Sequence, residues 1–140
     1  MSIKSALLSR VYAPRVKHRL PGRLRMNAPI LKKMPPEHEP LFRKLVTLFL
    51  LPRGLKDVEV EFITGSILVA YDSEEITEEA VLKWIGTLWR LFSEHFDRLE
   101  KIREDQFDTI VSRITPVLEK ALKENHSFDK RIRLPEDVWS

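Results

Sequence analysis

Between Arg15 and Arg25 a cation stands at almost every second position: Arg15, Lys17, Arg19, Arg23 and Arg25. Guanidinium groups present planar forks of N–H donors that match carboxylate and phosphate oxygens two at a time, and lysine adds a compact point charge. Cations repeating at about 7 Å along one side of an extended chain suit a phosphate group, an acidic protein segment or an anionic lipid surface. These five residues form the expected partner- or anion-binding set. The competing explanation is a solvated face whose charges balance one another, because Glu59 and Glu61 project from a later strand onto the same side.

Other reactive groups are sparse. His18, His38, His95 and His126 are scattered along the chain. His18 falls on the apolar side of its strand, which favours a packed histidine. His38 stands between Glu37 and Glu39, a donor set for a hard metal ion, but also what a helix start looks like. His18 and His38 are kept as secondary metal candidates, with iron the ion they would suit. The chain has no cysteine, which excludes disulfides, thiolate metal sites, iron–sulfur ligation and cysteine nucleophiles. No nucleophile–base pair or Walker sequence is present, and four glycines are too few for a phosphate-cradling loop. The expectation is therefore a non-enzymatic protein with no cofactor. Nucleic acid is disfavoured, since an RNA-binding sheet stacks bases on exposed aromatics and only Tyr71 is a candidate. Trp84 and Trp89 are read as packing residues.

Net charge is only +3, yet it is unevenly spread. Residues 1–56 carry thirteen Lys/Arg against Glu37 and Glu39, whereas residues 57–109 carry five against fourteen Asp/Glu. Such polarity suits an anionic partner, or association of a basic with an acidic region. Apolar residues, at 43%, suffice for a core, and no apolar run approaches the 18 or so needed to span a bilayer. Met1-Ser2-Ile3-Lys4 opens no signal peptide. The expected location is cytoplasmic, either free or peripheral to a membrane or compartment.

The elements that must position the cations emerge from periodicity. Residues 1–14 read as a mobile arm. From Arg15 to Met26 apolar and basic residues alternate, the period of a strand, with Pro21-Gly22 marking an edge or a bulge because proline cannot donate to the ladder. A helix is predicted over 37–51, with Leu41, Leu45, Leu48 and Phe49 buried. Asp57 to Ile63 and Ile67 to Asp72 read as a hairpin around Thr64-Gly65-Ser66. Thr77 with Glu78 and Glu79 starts a long helix. Its apolar stripe continues through Leu99 and Ile102 to Ile110, Ile114, Val117 and Leu118, as one helix or as two with a break near Asp105–Asp108, and Pro116 adds a further break or kink. The helical extension over 97–126 outruns the sheet, so those six residues are expected to contact a protein partner or a second copy. Residues 127–140 read as an extended tail, with Arg131 to Leu134 a short strand.

Three motifs carry a family resemblance. His18-Arg19-Leu20-Pro21-Gly22-Arg23-Leu24-Arg25, Gly54-Leu55-Lys56-Asp57-Val58-Glu59-Val60 and Thr64-Gly65-Ser66-Ile67-Leu68-Val69-Ala70-Tyr71-Asp72 occur in the order found in degenerate heavy-metal-associated domains, and the chain resembles that family over residues 15–96. The resemblance implies an α+β, ferredoxin-like β-α-β-β-α sandwich with a mainly three-stranded antiparallel sheet. It also implies a role near metal, iron included, as an adaptor for a metal transporter or a component of an iron-storage compartment. Ordinary members hold soft metals with Cys-x-x-Cys in the loop after the first strand, and Asn27-Ala28-Pro29-Ile30-Leu31 has no such ligands. The alternatives are a direct carrier of hard metal ions and, third, a nucleic-acid-binding module.

Overall fold

Pro21-Gly22 does not interrupt a single strand but turns the chain back on itself. Proline fixes φ at the first turn position, and Gly22 takes φ +77° at the second, the order that a turn with a left-handed second residue requires. The computed structural model describes residues 13–124 and 132–140. The result is β1 (Arg15–Leu20) and β2 (Arg23–Asn27) in place of one strand. Next along the chain come α1 (Glu39–Val46), β3 (Leu55–Glu61), β4 (Ser66–Tyr71), α2 (Glu78–Glu94), α3 (Phe96–Leu99) and α4 (Phe107–Glu124). Short 3-10 turns flank α1 at Pro36–His38 and Thr47–Leu50.

All four strands join one antiparallel sheet in the order β1-β2-β4-β3. In the ferredoxin-like arrangement the first strand lies beside the third, and a fourth strand flanks the first. Here β2, β3 and β4 fill the first three places, and β1, which precedes them all, fills the fourth. The expectation of three strands with the arginine strand at an edge is corrected accordingly: β2 is interior and β1 is the edge. A local signal, the Pro-Gly pair, had the physics right but the topology wrong.

The helices cover one side of this sheet. Leu24, Met26, Val58, Ile67, Val69 and Tyr71 are buried there, against Val81, Trp84, Ile85, Leu88 and Phe92 of α2 and against Leu41 and Leu45 of α1. Leu41, Leu45, Leu48 and Phe49 are all buried as the 3.6-residue period requires. The α2 start is capped: Thr77 Oγ1 accepts from the Ala80 N–H at 3.1 Å, and Glu78 and Glu79 occupy the first turn. Thr77→Ala is expected to cost about 1 kcal/mol in urea unfolding, and Thr77→Ser to restore most of it.

The helical extension belongs to the same core. Chain reversal at Lys101–Gln106 sends α4 back across the molecule, where Phe107, Ile110, Ile114 and Leu118 are buried in one cluster with the α1, α2 and sheet residues. The break lies at and before the 3-10 turn Glu104–Gln106, close to where the sequence allowed it. Pro116 does not break α4, which runs through it. Its side is exposed, and the Thr115 hydroxyl donates to the Val111 carbonyl at 2.8 Å. The tail is no strand over Ile132–Leu134, Arg131 lying outside the described residues, and Glu136–Trp139 forms a 3-10 turn instead. Val138 is buried, Arg98 Nη1 sits 2.9 Å from Glu136 Oε2, and Arg113 donates to the Val138 and Ser140 carbonyls. Most of the expected arm, residues 1–12, also falls outside the described residues.

Candidate docking face

Which cations share a face is decided by strand register. Residues paired across an antiparallel ladder point to the same side of the sheet. Arg25 is opposite Leu68, which is opposite Glu59; Arg23 is opposite Ala70, which is opposite Asp57. Both rows lie on the side away from the buried Leu24–Val69–Val58 row, hence on the side the helices leave uncovered. Arg15 joins them, paired with Asn27.

A β-bulge in β1 shifts the parity of the residues C-terminal to it. Val16 pairs with Met26 and His18 with Arg25, so Lys17 is the extra residue and has no partner in β2. Past Lys17 the faces exchange. His18, expected on the apolar side, is exposed on the open face opposite Arg25. Arg19 is opposite the buried Leu24, on the helix side, with Nε 3.3 Å from Glu78 Oε1 at the α2 start. Arg19 therefore leaves the predicted set, and Arg15, Lys17, Arg23 and Arg25 remain on the open face. The turn register that pairs Leu20 with Arg23 fixes both corrections, the extra residue returns Lys17 and Arg15 to the open face, and nothing in the alternation of types reveals either.

Across the sheet the open face has three zones. Lys17, His18, Arg23 and Arg25 make a basic zone on β1 and β2. Leu68 and Ala70 of β4 make a half-buried apolar strip. Asp57 and Glu59 make an acidic zone on β3. All of them, with Leu20, line one shallow depression. Leu20 is 54% exposed, and it extends the apolar character to the β1 edge. Asp57 is the member that sequence reasoning missed; the alternation Asp57, Val58, Glu59, Val60, Glu61 is the signal that assigns it to this side. Among the described residues no salt bridge takes up Lys17, Arg23, Arg25, Asp57 or Glu59, so the two zones are separated and not internally paired. Two strand spacings, about 10 Å, keep β2 from β3.

The second predicted surface is not a surface. Leu99, Ile110, Ile114 and Leu118 are at most 5% exposed and packed inside the chain, which leaves a partner nothing to touch. Ile102 and Val117 are partly buried against the same cluster. The apolar stripe needed a partner, as its length implied, and found one in α1 and the underside of the fold.

Metal donors are not assembled. No group of three or more His, Asp or Glu able to hold a metal occurs among the described residues. The His38 ring lies edge-on to Phe96, centroids 5.4 Å apart. The loop between β2 and α1 is built for packing: Ala28, Ile30 and Leu31 are buried, the Ala28 N–H donates to Gly65 O at 2.8 Å, and the Asn27 amide reaches Thr64 O. A small pocket of about 40 Å³ between α1, α2 and the sheet is lined by Leu31, Phe42, Val58, Trp89 and Phe96, together with Ser93. The Ser93 hydroxyl is already donated to Trp89 O at 2.6 Å. No described helix is long and apolar enough to cross a membrane.

Set against known families, the chain matches the heavy metal associated domain 2 family over residues 12–127. The match extends past the motifs at 15–96 and takes in the whole of α4. No curated protein and no solved structure matches.

Proposed function

We propose, from the premise that the chain belongs to the heavy metal associated domain 2 family, that it serves metal homeostasis as an adaptor that docks on a protein and not as a carrier of the ion. Membership ties it to metal-related function, and domains of this kind are generally non-catalytic and commonly meet proteins or metal transporters. The donor set does not fit a soft metal, because the stretch Asn27–Leu31 offers no thiolate and buries its apolar residues in the core. The observation that carries the reading is the sheet face that the described helices leave uncovered, with Arg15, Lys17, Arg23 and Arg25 on one half of it. Guanidinium pairs at such spacing recognise carboxylates on an acidic protein segment. A metal transporter or a component of an iron-storage compartment is the partner class this reading favours, with iron the metal served and the cytoplasmic side the place of contact.

Two measurements on the full chain test it. Anaerobic calorimetric titration with ferrous iron, cuprous copper and zinc should show no stoichiometric site tighter than about 1 μM. Tight binding lost in His18→Ala or His38→Ala would replace the adaptor with a carrier. A decaglutamate peptide should bind in 50 mM salt, weaken steeply by 300 mM, and lose at least about tenfold in affinity on Arg23→Glu/Arg25→Glu.

A further inference from the structure

The open face carries both signs of charge, in separate zones on either side of an apolar strip. That arrangement is self-complementary under one particular symmetry operation. We infer that a second copy of this chain docks on the open sheet face, the two copies related by a two-fold axis running parallel to the strands. The inference rests on the docking reading and names an occupant for the same face.

The strand order β1-β2-β4-β3 sets the geometry. Rotation by a half turn about an axis parallel to the strands, between β2 and β4, turns the second sheet over and reverses its order. Strand β3 of the second copy then lies over β1 of the first, and β4 over β2. Rows keep their height along the strands. Glu59 of the second copy therefore comes down over His18, which shares its row with Arg25, and Asp57 over Leu20, which shares its row with Arg23. A guanidinium spans the one strand spacing of about 5 Å that separates each arginine from the opposing carboxylate. The aliphatic stems of Arg25 and Arg23 meanwhile lie over Leu68 and Ala70 of the second copy, removing that strip from water. Every contact occurs twice. The other aligned packing, with the axis across the strands, sets β1 on β1, β2 on β2 and β3 on β3, and it brings the basic zone onto the basic zone and the acidic zone onto the acidic zone.

Size sets the strength. Four strands at about 5 Å spacing and five residues at about 3.3 Å give a face near 20 Å by 17 Å, well below the roughly 800 Å² per partner of a stable complex. The pair is a reversible one, held by charge and sensitive to salt, and it covers the surface an acidic partner would need. Self-association and partner docking then compete.

Sedimentation velocity on the full chain from 20 μM to 1 mM should show a concentration-dependent shift from 16.5 kDa towards twice that mass in 50 mM salt, with association at least about tenfold weaker in 300 mM. Arg23→Glu/Arg25→Glu, an acidic face, and Asp57→Lys/Glu59→Lys, a basic face, should each remain monomeric. Mixed in equal amounts, the two variants should pair, since both contacts of the two-fold are then opposite in sign. All four positions are exposed, and thermal melts establish that the variants fold. A wild-type chain that is monomeric at 1 mM in low salt overturns the inference, as does a dimer that survives both reversals or a mixture that fails to pair. A monomer that still binds decaglutamate would sink the dimer and leave the docking reading standing; loss of the peptide signal would sink the reading.

Discussion

Leu118→Ala should lower the stability of the whole chain by about 3 kcal/mol, read as a shift of the urea midpoint with an unchanged slope. The side chain has 0% exposure within α4, and removing three of its carbons leaves a cavity that α1 and the core cannot fully close. Ile114→Ala, also at 0%, should cost a similar amount. Val117→Ala, on the partly buried flank of the same helix, should cost about 1 kcal/mol or less. The contrast separates two roles for the α4 stripe. Were it a docking surface, truncating Leu118 would weaken association and spare the fold. Packed as it is, truncation weakens the fold, and the folded fraction keeps its oligomeric state. Coincidence of the transitions seen by fluorescence and circular dichroism would add that α4 and the sheet unfold together.

Gly22→Ala is expected to cost about 2–3 kcal/mol, a large effect for one methyl group at a surface turn. Two causes act together. At φ +77° an alanine is held in a region that L residues rarely adopt, and its Cβ would stand 2.8 Å from the Tyr71 carbonyl oxygen. Neither can relax without the other worsening, because Gly22 O accepts from the Tyr71 N–H at 3.0 Å and this bond ties the β1–β2 turn to β4. The loss should be accompanied by faster amide exchange in β1 at positions 15–20, since that edge strand is held through β2 and this turn. Gly86→Ala is the internal control. It lies in α2 with nothing within 4 Å of the added carbon, so the better helix propensity of alanine should raise stability by up to about 1 kcal/mol. The same substitution thus changes sign with backbone conformation.

The docking face inherits its composition from that turn. Without the hairpin, β1 would not flank β2, and the basic zone would be one strand wide. Because the turn is two residues long, Leu20 and Arg23 face each other directly, which puts Arg19 on the helix side, and the bulge at Lys17 returns Lys17 and Arg15 to the side of Arg23 and Arg25.

What local patterns could settle, they settled. A period of two marks strands wherever one face is buried, and a period of 3.6 marks α1, α2 and the α4 stripe, because burial on one side imprints its geometry on residue type. The Thr77 cap, the hairpin at Thr64-Gly65-Ser66 and the lack of any thiolate ligand are likewise written in residues a few positions apart. The remainder depended on contacts between segments far apart in the chain. Alternation reads the same on both sides of Pro21-Gly22 whether the strand continues or reverses, so only pairing with β4 shows that there are four strands and that β1 is the outer one. The register across the turn and the bulge are properties of two paired strands, and for that reason the sides taken by Arg19 and His18 were invisible in either strand alone. An apolar helical stripe demands burial but does not say by what; the return of α4 over α1 supplied the answer from within the same molecule, and the described helices leave the two-signed sheet face uncovered.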